Sequence, residues 1–417
     1  MNQTYSISIY LDTRRTKGSG KYPVKLRVYT SSPRTQKMYP TIFEFSEKEY
    51  ESIWKTLKPR KEYQEIRKKI LSVETKAYNV AEKLKPFTFE QFERKLYRKA
   101  GDGININYLY NLTVDELNKQ ERIGTASSYD LSKKSFERFV KSSSRQSFSK
   151  LNLYDITKEW LKDYENFMVK DCGKTYTTVG IYLRTLRAIY NRAIDENEIE
   201  KEYYPFGKRK YQIPAIKNTK RALTQDQLKD LFNATPKSPQ QEKARDFWFF
   251  SYACNGINMK DIVMLKHKDI QHGKIEIYRA KTVLTSISNL KPITIFLNDF
   301  SKEIIDKYGN KSNDPEDYVF GILSKGLTPN QQHSKKTIFI DFVNQHLKKL
   351  CKDLKLPKDI SSVWARHSFA TNSLRNGASM EFMQERMGHK DMKTTMRYFT
   401  GFDDETQKEF AKNLMDF

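Results

Sequence analysis

Apolar and polar positions alternate at the front of the chain. Residues Tyr5 to Leu11 follow a period of two, and so does Val24-Lys25-Leu26-Arg27-Val28, where apolar and cationic side chains fall on opposite faces of a pleated strand. A third run, Thr41 to Phe45, follows Pro40, which suits an edge strand because proline donates no ladder hydrogen bond. Ser46-x-x-Glu49 then has the form of a capping box. Beyond it Ile66, Ile70, Val73, Ala77, Ala81 and Leu84 recur at helical spacing. Residues 1–90 therefore predict a small sheet with helices behind it.

Gly101-Asp102-Gly103-Ile104-Asn105 predicts a linker into a helical domain. There the clearest helical stripe is Val179, Tyr182, Leu183, Leu186, Ile189, Tyr190 and Ala193, with Thr177 as its expected N-cap. The opposite face carries Arg184, Arg187 and Arg192, with Lys174 just upstream; such cations suit backbone phosphates and open solvent equally well. A second linker, charged and breakable, is expected from Tyr203 to about Arg221, with Pro205, Gly207, Pro214 and Lys208-Arg209-Lys210 inside it. Thr224-Gln225-Asp226-Gln227 predicts another capping box, and with it the start of a third domain. In that domain Lys274–Arg279 and Pro292–Leu297 predict an antiparallel pair separated by a long polar turn, while Thr337–Leu354 and Val363–Leu374 have helical spacing. The expected class is α+β and multidomain. Residues 1–90 form a sheet-plus-helix domain, 104–205 a helical domain, and 220–417 a mainly helical domain with a small antiparallel sheet.

Charge sharpens this picture. Among 417 residues, 75 Lys and Arg against 51 Asp and Glu leave a net charge of +24, which points to a polyanionic partner. The first forty residues carry Arg14, Arg15, Lys17, Lys21, Lys25, Arg27, Arg34 and Lys37 against Asp12 alone, so the leading sheet is expected to face phosphate. With 25 Phe and 25 Tyr the chain can fill true cores, which excludes a disordered basic tail. Cys172, Cys254 and Cys351 lie far apart without C-x-x-C spacing, which argues against a disulfide framework or zinc ribbon and fits a reducing cytosol. No H-E-x-x-H, His/Cys cluster or G-x-x-x-x-G-K-[ST] appears, so neither metal nor nucleotide cofactor is expected. The leading residues lack the order of a signal peptide, and no apolar run reaches the ~18 residues of a membrane span. A cytoplasmic place beside the nucleoid, with no membrane partner, is the expectation.

The last sixty residues hold a cluster that composition does not explain: Ala365-Arg366-His367-Ser368-Phe369-Ala370-Thr371, then Asn376-Gly377, Gly388-His389, and Lys393-Thr394-Thr395 leading to Tyr398. This resembles the C-terminal signature of the tyrosine recombinase (phage integrase) family, H-x-x-R-H-[ST]-F-A-T, an N-G turn, L-G-H, and a tyrosine nine residues after that histidine. Arg366, His389 and Tyr398 fall on those positions, since 398 − 389 is nine. Asn255-Gly256-Ile257-Asn258-Met259-Lys260-Asp261-Ile262 is similar to the family's T-G-[LM]-R-x-x-E-[LI], and Lys281 matches the lysine of its β-hairpin turn.

The resemblance implies a DNA-cutting site without metal or ATP. Tyr398 is the nucleophile, ending as a 3′-phosphotyrosine; Arg366 and His389 hold the phosphate; Lys281 protonates the departing 5′ oxygen; Asp261 orients a neighbour. The roles fit the residue types. A phenol with an ordinary pKa near ~10 is a poor nucleophile toward an anionic diester unless a cation holds the phosphate, and arginine's planar fork does so while staying charged. Two positions depart from the family. Asn258 stands where the first arginine belongs and Val363 where the histidine of H-x-x-R belongs, and neither supplies a cation. Either the protein is a catalytically silent DNA binder or another residue substitutes. Arg279 is the foremost substitute, two residues from Lys281 and so on its face of a regular strand; Lys260 is the next.

The resemblance further implies an arm-type DNA-binding domain at 1–90, a core-binding domain at 104–205 and a catalytic domain at 220–417 that closes with it around duplex DNA. Arg14, Arg15, Lys25, Arg27, Lys174, Arg184 and Arg187 are the expected DNA contacts. It implies a tetramer on two synapsed sites, room for an accessory DNA-bending protein, and a tail from Phe399 to Phe417 that docks on a neighbouring subunit or packs on its own domain. The expected activity is that of an integrase of a mobile element. An invertase or resolvase of the same family is the alternative enzyme.

Overall fold

The computed structural model describes residues 5–14, 16, 20–84, 86–99, 101–143, 147–215, 221–279, 292–389, 391–398 and 411–412. The chain divides into two compact units, Met1–Glu116 with Ser128–Ala215, and Leu117–Ser127 with Ile216–Phe417.

The first unit opens on a three-stranded antiparallel sheet in the order β1 (Tyr5–Leu11), β2 (Tyr22–Ser31), β3 (Arg34–Phe45). Tyr10 pairs with Lys25 and Ser8 with Arg27, so the period of two sends these polar residues to one face. Ile7, Ile9, Leu11, Val24, Leu26 and Val28 are buried on the other. The third strand is longer than the run after Pro40. It passes through that proline, which an edge position tolerates. The Ser46 capping box forms, Glu49 N–H reaching Ser46 Oγ at 3.3 Å and Ser46 N–H reaching Glu49 Oε2 at 2.7 Å, and starts the short α1 (Glu47–Tyr50). Helix α2 (Gln64–Glu82) buries Ile70, Ala77 and Ala81 in the sheet's core, and α3 (Phe89–Leu96) adds Phe92 and Leu96.

The same unit continues with α4 (Ile106–Lys119) as far as Glu116, α5 (Ile123–Ser143) from Ser128 onward, α6 (Lys158–Asn166) and α7 (Tyr176–Asp195). Their core joins Tyr110, Phe136, Phe139, Tyr164, Leu183, Leu186 and Tyr190. The N-cap of α7 is Thr175 rather than Thr177: its hydroxyl accepts the Thr178 N–H, and Thr177 lies inside the first turn. The expected second linker is partly structural. Phe206 and Tyr211 are buried in this helical core, so their apolar rings outweigh the charged tripeptide between them. Arg192 is neither wet nor phosphate-facing. It donates to Glu116 at 2.8 Å and to Glu196 at 3.0 Å.

That arginine belongs to an ionic cluster joining α3 to the helical core. Arg94 reaches Glu116 and Glu196 at 3.2 and 2.9 Å, and Lys95 and Arg98 reach Glu198 at 2.8 and 2.6 Å. Burial pushes the Glu198 carboxyl up, but hydrogen bonds and charge from Arg98 and Lys95 outweigh it and hold the group below its ordinary range.

The second unit is built on α9 (Pro239–Ala253), which follows α8 (Gln225–Phe232) and its Thr224–Gln227 capping box. Ala244, Phe247, Trp248, Phe249, Phe250 and Ser251 are all buried, so α9 is enclosed on every side. After α10 (Met259–Val263), strands β4 (Ile270–Gln271), β5 (Lys274–Ile277) and β6 (Ile293–Phe296) form an antiparallel sheet in that order. The remaining helices are α11 (Asp299–Tyr308), α12 (Pro329–Asp353), α13 (Ser362–Arg375), α14 (Met380–Met387) and α15 (Met392–Met396). Helix α12 starts at Pro329 rather than Thr337. A Thr328–Gln331 capping box opens it, and its polar first turns hide it from an apolar pattern. The turn expected between β5 and β6 and most of the tail after Tyr398 lie outside the described residues. No helix among the described residues is long and apolar enough to cross a membrane.

The ionic cluster sets a test. Glu198→Ala leaves Lys95, 7% exposed, and Arg98 beside an uncompensated gap, and is expected to destabilise the first unit by about 3 kcal/mol in urea unfolding of the full chain. Removing the exposed Lys68–Glu65 pair should cost under about 1 kcal/mol. Because the folded Glu198 pKa is lowered, its contribution is complete above about pH 5 and falls away on acidification below the ordinary glutamate value near ~4.3. The Ala variant should show a flatter acid limb.

Candidate active site

Helix α13 is seated before its functional residue appears. Its N-cap carbonyl, Ser361 O, accepts Trp248 Nε1–H from α9 at 3.1 Å, and Ser362 N–H donates to Asn344 Oδ1 of α12 at 2.7 Å. One turn later Arg366 points into the unit, 5% exposed. Its Nη1 donates to Gly256 O at 2.8 Å, and its Nη2 donates to Met387 O at 2.7 Å and meets His389 Nε2 at 3.1 Å. The Tyr398 side chain is also hydrogen-bonded to this guanidinium, the phenol oxygen accepting.

Each partner is delivered by a specific backbone device. Gly256 lies in the turn between α9 and α10, where Asn255 and Gly256 both take left-handed φ, 56° and 64°. A Cβ on Gly256 would stand 2.8 Å from Arg366 Cα, so the turn and α13 touch backbone to backbone. Met387 ends α14, and Gly388 closes it at φ 59°. The carbonyl end of that helix faces the guanidinium, as the helix dipole favours. His389 follows directly, its N–H returning to Gln384 O at 3.0 Å. Tyr398 lies two residues past the end of α15, 3% exposed, with its ring 5.9 Å from the His389 ring at an interplanar angle of 13°. His367 packs against the same phenol at 5.4 Å.

Burial pushes the Arg366 guanidinium down to about 10, and the nearby Arg279 cation acts in the same direction, while Tyr398 and Asp261 oppose it. It stays charged at neutral pH. Arg279, two residues beyond β5, brings its Cδ within 3.8 Å of where a Gly388 Cβ would stand. Two guanidiniums thus converge beside the phenol, an arrangement that an incoming anion relieves. Asp261 on α10 is buried, and Asn258 Nδ2 donates to its Oδ2 at 3.4 Å. Asn258 contributes no cation, Lys260 is exposed, and Val363 is half exposed on the first turn of α13.

Of the six expected catalytic residues, the structure brings together Tyr398, Arg366, His389, Arg279 and Asp261. Lys281 lies outside the described residues, as does Arg15. The expected DNA contacts are dispersed over the first unit. Arg14 and Lys25 both reach Asp12, at 2.8 and 2.7 Å, and Arg27 donates to Ser8 Oγ at 3.1 Å with its guanidinium 5.4 Å over the Tyr10 ring. Lys174 and Arg187 are exposed and Arg184 is half-buried. Residue types alone did not reveal Ser368 and Asn372. They hold both backbone groups of Leu223, at 2.9 and 3.2 Å, and so fasten the segment leading into α8 to α13.

The phage integrase family matches residues 221–405, and the phage integrase SAM-like domain matches residues 105–213. The chain belongs to the tyrosine recombinase family. It is similar to the tyrosine recombinase XerD of Oceanobacillus iheyensis, 24% identical over 249 residues, covering 56% of this chain and 74% of that protein. It is also similar to a tyrosine recombinase of Thermosipho africanus, 25% identical over 238 residues, covering 55% and 73%. Among solved structures, the Tn1549 transposon integrase in complex with a circular intermediate DNA shares the fold with a TM-score of 0.52 at 15% identity, covering 74% of this chain and 99% of that one. This recombinase is accordingly a DNA-binding, site-specific enzyme that cuts and rejoins DNA. Its α+β, multidomain architecture is the one expected from the sequence.

The close approach at Gly256 gives the test. Gly256→Ala forces a Cβ against the α13 backbone at a left-handed φ and is expected to destabilise the second unit by about 1–3 kcal/mol. Thermal unfolding reads that loss, and DNA cleavage should fall further than stability because the Gly256 carbonyl also anchors Arg366.

Proposed function

We propose that this recombinase is the integrase of a mobile element and that Tyr398 attacks the scissile phosphate. The supporting observation is the buried phenol of Tyr398 on the guanidinium of Arg366, with Arg279 and His389 beside it. A phosphate entering this site would take the phenol's place on the guanidinium. The phenolic oxygen, losing its proton to solvent, then forms a bond to phosphorus as the P–O5′ bond breaks. The 3′-phosphotyrosyl link conserves the diester's energy, and a 5′ hydroxyl of another strand reverses the step without ATP.

Arg366 and Arg279 stabilise charge on the phosphoryl oxygens, Arg279 standing in for the cation that Asn258 does not supply. Its convergence on Arg366 favours this over Lys260. His389 binds a phosphoryl oxygen, Lys281 gives the 5′ oxygen its proton, and Asp261 steadies the cationic pair. The carboxylate of Asp12 engages only part of the cationic charge on the leading sheet, so residues 1–90 remain our candidate arm-binding domain, ahead of core-binding 104–205 and catalytic 220–417. Arg14, Arg15, Lys25 and Arg27 are proposed to meet phosphates there, with Lys174, Arg184 and Arg187 on the helical domain. The working assembly is a tetramer on two synapsed duplexes, where the DNA is, with room for a DNA-bending protein.

A nicked duplex, selected from a randomised pool by SDS-stable capture, tests the chemistry. The wild type should form a protease-resistant covalent adduct and Tyr398→Phe none; an undiminished adduct in that variant refutes the assignment. Arg279→Ala should slow adduct formation by about 100-fold or more with DNA retention largely kept. Wild-type speed in that variant removes Arg279 from the site. Deleting residues 1–90 should abolish retention of distal sites and spare the cleavage site.

A further inference from the structure

We propose that Thr395 is a positioning residue that fixes which nitrogen of His389 faces the phosphate; this rests on the reading of His389 and Tyr398 given above. A guanidinium has donors only, so His389 Nε2, 3.1 Å from Arg366 Nη2, presents its lone pair. In a neutral imidazole the single proton is then on Nδ1, which lies 2.9 Å from Thr395 Oγ1 and donates to it. Thr395 is fully buried, so its hydroxyl meets the ring without competition from bulk water. Its carbonyl accepts the Tyr398 N–H at 2.9 Å. One residue therefore holds the imidazole by its side chain and the nucleophile by its backbone.

The arrangement has a consequence on DNA binding. A phosphoryl oxygen accepts and does not donate, so when it displaces the Arg366 N–H from Nε2 that nitrogen must carry a proton. With Nδ1–H retained by Thr395, this is a second proton, taken from solvent, and His389 becomes an imidazolium donating to Thr395 on one side and to phosphate on the other. The groups around the ring agree. Arg366 on α13 and Arg279 beyond β5 are cations that oppose the imidazolium while the site is empty of phosphate, Tyr398 just past α15 stacks on the ring, and Asp261 on α10 acts through Arg366. The phosphate's negative charge reverses that balance.

Two measurements on the full chain decide it. Nitrogen-15 spectra of histidine-labelled protein without DNA, with the signal identified by its loss in His389→Gln, should show His389 neutral with its proton on Nδ1; a proton on Nε2 overturns the inference. With the selected nicked duplex, Thr395→Val should slow Tyr398 adduct formation by roughly tenfold, the worth of one buried hydrogen bond, and move the alkaline fall of the rate to lower pH. Thr395→Ser, which keeps the hydroxyl, should restore both rate and profile. If the wild type forms its Tyr398-dependent adduct and Thr395→Val matches it in rate and pH profile, the role of Thr395 is refuted and the nucleophile stands. If the wild type forms no such adduct, the underlying reading fails, and the spectra still judge the His389–Thr395 bond.

Discussion

A buried guanidinium must have its donors satisfied, and the second unit is arranged around that requirement. The charge of Arg366 is costly to enclose, so each hydrogen bond it makes binds a distant part of the chain to α13. Gly256 O comes from the turn after α9, Met387 O from the end of α14, and His389 Nε2 from the residue after the α14 cap. Elements separated by more than a hundred residues are thereby held at one point. The apolar packing of α9 supplies the rigidity that makes those distances repeatable, because Trp248 fixes the start of α13.

Much of this fold was legible in the sequence because it rests on short-range rules. Alternation in Tyr5–Leu11 and Val24–Val28 predicts strands whose buried face is visible residue by residue, and the capping boxes at Ser46 and Thr224 mark helix starts where the structure has them. The misses have equally local causes. Thr177 and Thr175 are both capable caps, and only the backbone tells them apart. Polar residues fill the first turns of α12, so an apolar criterion starts it late. Phe206 and Tyr211 sit among prolines and lysines, and their burial depends on a core that the local pattern does not reveal.

The candidate site was legible to the extent that its side chains carry unusual chemistry at fixed spacing. Arg366, His389 and Tyr398 stand out in that way, and the spacing of Arg279 from Lys281 hinted at a shared face. What spacing could not convey is that the carbonyls of Gly256 and Met387 hold Arg366, since backbone groups are the same in every residue. Nor could it show that Asp12, the lone anion among eight cations at the front of the chain, draws in both Arg14 and Lys25. Charge counts describe a surface before it has settled its own internal pairings.

The burial of Tyr398 has a bearing on the protein at rest. A cell is crowded with nucleotides and inorganic phosphate, any of which would be drawn to an open pair of guanidiniums. With the phenol already covering Arg366, such small anions find the berth taken and lack the extended grip needed to evict the occupant. On the proposed assignment the nucleophile is thus sheathed, and only a duplex, able to grasp many points at once, has the leverage to draw it.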